Sequence, residues 1–365
     1  MMSVSRYLLV MALMVFVVTD GEARRDTLTA AQKDRLGKIQ RVLVEAVAIT
    51  DQNATDPSLL IDTVVRRMQV LGYTVVTDPA QAHDVVLRVK CEQHKTWEGT
   101  ASSGGDADVP DSPSRVWKGP ACQLLYLLDG KKLGWHKEVR TEFQDARLAA
   151  TEAHVENPGA FALSKLIERL EEYHFPILLA AEWGQVDRLL KRLDEPTVSP
   201  ALKAKIIAQL GEMFATEAVP RLLTALNDPD ITIAKAAAQA LGNIGQKDSI
   251  AALITMLQTG KPELQAAAAK GLGQVGALHG DFSIIPPLLE ALKSDNLAVK
   301  TEAAWALGKL PDKRAYEPIY ALYRTLQTSG IAGIDGQGRN GEQVQKLKEA
   351  LNWSLKQVDT FDQFN

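Results

Sequence analysis

Along the second half of this chain an Ala-rich segment closes repeatedly on the same dipeptide: Leu210-Gly211, Leu241-Gly242, Leu272-Gly273 and Leu307-Gly308. The intervals are 31, 31 and 35 residues. Self-similarity at this period marks an array of small units, each unable to bury its own apolar face and each sealed by its neighbours. An array of this kind encloses no single cavity, so its chemistry has to lie on its surface.

Each unit carries further register marks. An apolar residue stands eight positions before every anchor leucine (Leu202, Ile233, Leu264, Val299), and Leu226, Leu257 and Leu292 stand fifteen before theirs. Two marks per unit describe a helix, a turn and a second helix. The turns Asn227-Asp228-Pro229-Asp230, Thr259-Gly260-Lys261-Pro262 and Ser294-Asp295-Asn296 have the composition that starts a helix. The second helices are built on alanine, which favours helix and lets neighbours approach closely. A glycine inside a helix costs about 1 kcal/mol relative to alanine, so its recurrence at Gly242, Gly273 and Gly308 predicts another backbone passing close to each. Each buried anchor leucine contributes roughly 1.5–3 kcal/mol.

The segments "DPDITIAKAAAQALGNIG", "GKPELQAAAAKGLGQVG" and "SDNLAVKTEAAWALGKL" resemble HEAT-type repeats, of the short class first noticed in phycobilisome lyases. The resemblance spans 185–325. Such repeats commonly carry an aspartate before the second helix and a basic residue near its start. Asp228 and Asp295 with Lys235 and Lys300 keep that pattern, while Thr259 and Gln265 break it in the middle unit. The resemblance implies a curved α-solenoid, lined inside by its second helices and used to bind other macromolecules. On those helices, two positions before each anchor stand Gln239, Lys270 and Trp305; one position past each glycine stand Asn243, Gln274 and Lys309. These six are the candidate partner-binding residues. Trp305 puts a large aromatic where its equivalents are polar, and two readings stand side by side: a binding hot spot, or packing against the C-terminal helix or the first domain.

Helices are expected over 317–327 and 342–358, the latter with the stripe Val344, Leu347, Leu351, Leu355 and Val358. The connection 328–341 contains "GQGRNG", which matches G-x-G-x-x-G; no strand precedes it, so a flexible loop is expected there rather than a nucleotide site.

The first half has the pattern of an α+β domain, with helices on an antiparallel meander. Leu36, Ile39, Leu43 and Val47 recur at helical steps and predict a helix over 29–48; a second helix is expected behind Asp56 as N-cap, with Pro57 at its first position. Both would precede the sheet. Strands are expected at 73–77, 84–91 (Val85, Leu87, Val89 and Cys91 on one face), 121–128 and 133–143, with Asp129-Gly130 as a tight turn. Gly99 to Pro113 is composed as a mobile loop flanked by Trp97 and Trp117, and a helix is expected over 158–174. The stretch "LGYTVVTDPAQAHDVVLRV" resembles small α+β domains of exported bacterial proteins, which implies fold and no activity.

The N-terminus has Arg6, an apolar run from Tyr7 to Val18, and Gly21 and Ala23 before a cut after Ala23, the design of a secretory signal. An uncleaved signal anchor is the alternative. The domain reading is therefore a signal peptide at 1–23, an α+β domain at 24–175 and a solenoid with a capping helix at 176–365, exported to a bacterial periplasm. Export makes a disulfide between the two cysteines, Cys91 and Cys122, plausible against two buried thiols; closing that loop would stabilise by roughly 3–4 kcal/mol. A formal net charge of −4 supplies no field for phosphate backbones, so nucleic acid is not expected as a partner. No metal-ligand spacing, C-x-x-C pair, nucleophile elbow or P-loop occurs, and no cofactor is expected. His136 and Glu138 share a strand face, as alternating polar residues on a solvated sheet also do. The combined expectation is a non-catalytic protein-binding scaffold whose partner is periplasmic or envelope-associated. The alternatives are a structural or peptidoglycan-associated envelope protein, or an enzyme, either lyase-like or a hydrolase using His136 and Glu138.

Overall fold

The computed structural model describes residues 28–51, 53–100, 114–328 and 339–363. The expected signal segment at 1–23 and most of the two Gly-rich connections, at 101–113 and 329–338, fall outside the described residues.

The chain starts with a short helix α1 (Ala30–Gly37), closed at its N-terminus by a capping box between Thr29 and Gln32. Strand β1 (Arg41–Thr50) follows, and here the expected helix over 29–48 is corrected. Val42, Val44 and Ala48 are buried on the core face of β1, while its other face carries the buried Leu43 beside the partly exposed Glu45 and the 40% exposed Val47. Apolar Leu43, Val47 and Ile49 on the outer face erase the apolar–polar alternation that identifies a half-buried strand, and Leu43 and Val47 fall by chance at helical steps. The first strand thus stands between the two helices rather than after them.

Strand β2 (Asn53–Thr55), helix α2 (Ser58–Val70), and strands β3 (Thr74–Val76), β4 (Val85–Thr100), β5 (Ser114–Leu128) and β6 (Lys131–Arg140) complete the sheet. Helix α2 starts one residue later than expected: Pro57 is the cap residue, and the Asp56 carboxylate accepts from the Ser58 backbone at 3.0 Å and its hydroxyl at 2.6 Å. The strand order is β2-β1-β4-β5-β6, with β3 also on β1. Strand β1 runs parallel to β3 and β4, so the expected meander is confined to β4–β6 and the sheet is mixed. Asp129 and Gly130, at φ 53° and 73°, make the tight turn between β5 and β6. Cys91 and Cys122 face each other across β4 and β5 and are joined by a disulfide, buried at 1% and 0% exposure. Helices α3 (Ala146–Glu152) and α4 (Pro158–Glu172) follow, and α4 lies with α2 over one sheet face.

From residue 175 the chain is helical: α5 (Phe175–Glu182), α6 (Val186–Leu193), α7 (Pro200–Glu212), α8 (Val219–Ala225), α9 (Ile231–Ile244), α10 (Ile250–Thr259), α11 (Pro262–His279), α12 (Ile285–Ala291), α13 (Leu297–Lys309), α14 (Lys313–Thr328) and α15 (Arg339–Gln363). Ser199, Asp230 and Asn296 cap α7, α9 and α13 with side-chain hydrogen bonds; α11 has none, in the same unit where the sequence breaks its polar pattern. Helices α7, α9, α11, α13 and α15 pack in a row, and α6, α8, α10, α12 and α14 back them. Leu210, Leu241, Leu272 and Leu307 are fully buried between neighbours.

The backbone approach expected at Gly242, Gly273 and Gly308 is found at the first two, and Gly211 shows it as well. A Cβ on Gly211 would lie 2.8 Å from the Ala240 Cα, one on Gly242 2.7 Å from the Gly271 Cα, and one on Gly273 2.7 Å from the Ala306 Cα. At Gly308 the neighbour is a side chain: the Trp353 ring at 2.8 Å and the Ser354 hydroxyl at 2.6 Å.

No linker separates sheet and solenoid. Trp183, at the end of α5, meets Tyr73 and Tyr126 edge-on with centroids 5.5 and 5.6 Å away. Gln185 is buried and satisfied at both ends: its amide donates to the Leu36 and Ile39 carbonyls at 3.0 Å, and its oxygen accepts from the Tyr73 hydroxyl and Arg188 Nε at 2.7 Å. The Arg188 guanidinium stacks 3.9 Å from the Tyr73 ring centroid and donates to the Leu71 carbonyl at 2.9 Å. Sheet and solenoid therefore share one continuous apolar core.

Candidate functional site

Unequal packing in the two helix layers makes the site. The second-helix row meets through glycine and alanine, so its axes come close; the backing row meets through larger side chains and touches more sparsely. A double layer whose sides have unequal spacing bends toward the tighter side. The face formed by α7, α9, α11, α13 and α15 is thus the inner one.

Close approach at the glycines also decides where the next helix's side chains go. Gln274 of α11 lies over Gly242, with its carboxamide oxygen 2.5 Å from where a Cβ would stand, and its Nε2 donates to Asn243 Oδ1 at 2.9 Å. Lys309 of α13 lies over Gly273 in the same manner, its Cδ 3.6 Å from the Cβ position. Trp353 of α15 lies over Gly308. The residues one past each glycine therefore form a ladder across adjacent helices.

All six sequence candidates fall on these helices. Asn243, Lys270 and Lys309 are exposed, while Gln239, Gln274 and Trp305 are half-buried. Asn243 and Gln274 are joined directly. Lys270 and Lys309 flank Glu302, whose pKa is raised by burial and drawn back by the two ammonium groups. Burial in turn lowers the Lys309 pKa, with Glu302 opposing. Trp305 packs on Trp353 at a centroid distance of 5.0 Å, the packing reading of that residue, and it keeps part of its ring open to solvent.

Glu212, Glu302 and Trp353 were not among the sequence candidates. Glu212 follows Gly211 as Asn243 follows Gly242, so the rule that found Asn243 already contained it; its carboxylate accepts from Gln209 at 2.7 Å. Trp353 had no such signal, because the 329–338 insertion puts α15 out of register with the period.

The other candidates do not assemble. Glu138 is engaged by Lys95 at 3.0 Å and Arg140 at 2.9 Å with 11% of its side chain exposed, while His136 is exposed beside it. Trp97 and Trp117 pair in register on β4 and β5, and their side chains lie outside what is described. An open pocket of about 540 Å³ lies in the backing layer, lined by Leu289, Leu292, Lys300 and Pro318 among others, away from the inner face. Among the described residues no three His, Cys, Asp or Glu side chains are grouped to hold a metal, and no helix is long and apolar enough to cross a membrane.

Residues 186–273 and 250–329 match the family profile of HEAT repeats, and this region is a HEAT-repeat array. No curated protein matches the chain. Among solved structures, the complex of CpcE and CpcF of phycocyanin lyase from Nostoc sp. is 19% identical, covering 58% of this chain and 96% of that one, with a TM-score of 0.33. A designed armadillo repeat protein in complex with a (KR)4 peptide is 18% identical, covering 53% and 94%, with a TM-score of 0.35. An engineered protein is 21% identical, covering 51% and 84%, with a TM-score of 0.36.

Proposed function

We propose that this protein is an exported, non-catalytic scaffold that binds another protein on the inner face of its HEAT-repeat array. The observation that carries the reading is the ladder: side chains from successive helices, among them the bonded pair Asn243 and Gln274 and the ring pair Trp305 and Trp353, offer donors, acceptors and charge at the repeat spacing and include no serine, cysteine or histidine. Amides and charges in a row along an open helix face suit a polypeptide partner better than a small molecule. Residues 1–23 supply the argument for export, and a disulfide shielded from solvent fits an oxidising compartment such as the bacterial periplasm. The hydrolase alternative is weakened because the Glu138 carboxylate is already held by two cations.

Photo-crosslinking residues placed at Gln239 and Lys270 in the native cell test the proposal, with Glu290 on the backing helix α12 as the control position. The inner positions should capture one discrete protein that Glu290 does not, and Lys270→Glu or Trp305→Ala should reduce capture while leaving helical circular dichroism unchanged. Capture that is equal from both layers, or untouched by both substitutions, removes the inner face as the site.

A further inference from the structure

The ladder has a direction. Read from α7 to α15, the side chains that follow or overlie the glycines are Glu212, Asn243, Gln274, Lys309 and Trp353: an acid, two amides, a base and an indole. The second row reinforces the far end, because Lys270 stands beside Lys309 and Trp305 stacks on Trp353. Glu302 offsets one of the two ammonium charges there, leaving a net positive site next to an aromatic pair. At the near end the Glu212 carboxylate is exposed and accepts from the Gln209 amide, a neutral donor.

We propose, resting on the scaffold reading above, that the inner face takes an extended peptide segment of fixed charge order: a basic residue over Glu212, main chain along Asn243 and Gln274, an acidic residue over Lys309 and Lys270, and a bulky apolar residue against Trp305 and Trp353. Spacing follows from geometry. Packed helix axes stand about 8–10 Å apart, and an extended chain rises about 3.3 Å per residue. Each helix step thus corresponds to about three residues, which places the acidic residue about nine after the basic one and the apolar residue about three beyond it. Gln274 Oε1 is buried against Gly242 and Asn243 Oδ1 already accepts from Gln274 Nε2, so the pair offers its remaining amide hydrogens to main-chain carbonyls, whatever the side chains beside them. Charge order then sets which segment is accepted, since like charges brought together at a rim oppose binding.

The test uses the full chain and two fluorescently labelled synthetic peptides with a Gly-Ser-Ala background. One has Lys, then Glu nine residues on, then Trp three further; the other exchanges the Lys and the Glu. Fluorescence anisotropy should show the first binding about tenfold tighter than the second. The double variant Glu212→Lys, Lys309→Glu should reverse that preference, and Asn243→Ala with Gln274→Ala should weaken both peptides alike. Equal binding of the two peptides, binding of neither, or a preference that survives the double exchange overturns the assignment. Loss of charge order while Gln239 and Lys270 still crosslink a partner in the cell removes the ladder's direction alone; loss of inner-face crosslinks as well removes the scaffold reading with it.

Discussion

At Gly242 and Gly273 a single added methyl has nowhere to go, because each faces the backbone of the next inner helix at 2.7 Å from the Cβ position. Overpacking of this kind costs about 1–3 kcal/mol. Gly242→Val and Gly273→Val should therefore lower the unfolding free energy by that amount in denaturant titrations, while Gly134→Ala, where a Cβ meets nothing within 4 Å, should stay within about 0.5 kcal/mol of the parent. This feature was legible in the sequence, because a residue that weakens helices recurred at a fixed place in helices otherwise made of alanine. His174 was not legible. Burial, and then Arg67 and Lys205, push its pKa below the usual 6.5, and its Nδ1 is buried without a partner. The folded state binds this proton less readily than the unfolded one, so the stability His174 contributes is present above pH 6.5 and is lost as pH falls through its folded value. Thermal melts between neutral pH and pH 5 should show a steeper decline for the parent than for His174→Gln; parallel curves would exclude this residue as the source.

Elements with strong local punctuation were the readable ones. Helices α9 and α13 announced themselves through a cap residue, an alanine run and a terminal Leu-Gly, and α11 through the last two; of the expected stripe in α15, Val344, Leu347, Leu351 and Val358 are buried and Leu355 partly so. Strand β1 carried no such signal, since apolar residues stand on its outer face as well as its core face and its pairing depends on neighbours far along the chain. The candidate face was legible only as far as the period held: four ladder positions follow one arithmetic up to Lys309, and Trp353 comes from a helix whose register the insertion shifts. Helix α15 closes the inner row, with the Ser354 hydroxyl donating to the Ala304 carbonyl at 2.6 Å and the Trp353 ring sealing Gly308. Terminal units of stacked arrays shield the last apolar face from solvent. Deleting residues 339–365 should expose α13 and produce self-association visible by light scattering, whereas Asn352→Asp, at an exposed position of the same helix, should not.

For the whole molecule the decisive region is the junction, where Gln185 ties the loop after α1 to the first solenoid helices through four hydrogen bonds. Replacing it with leucine leaves two carbonyls and the Tyr73 hydroxyl without this partner in a buried place, and each abandoned group costs about 1–3 kcal/mol. Gln185→Leu should destabilise the sheet and the early repeats together, so that probes in each report one shared, lowered transition; two separated transitions in the parent would show that the halves are independent. The shielding of Cys91 and Cys122 has an outcome of its own. Small thiols cannot reach the bond once the strands have closed around it, so its oxidation state is decided before folding finishes and then kept. Each finished molecule thereby carries a record of the surroundings in which it was made.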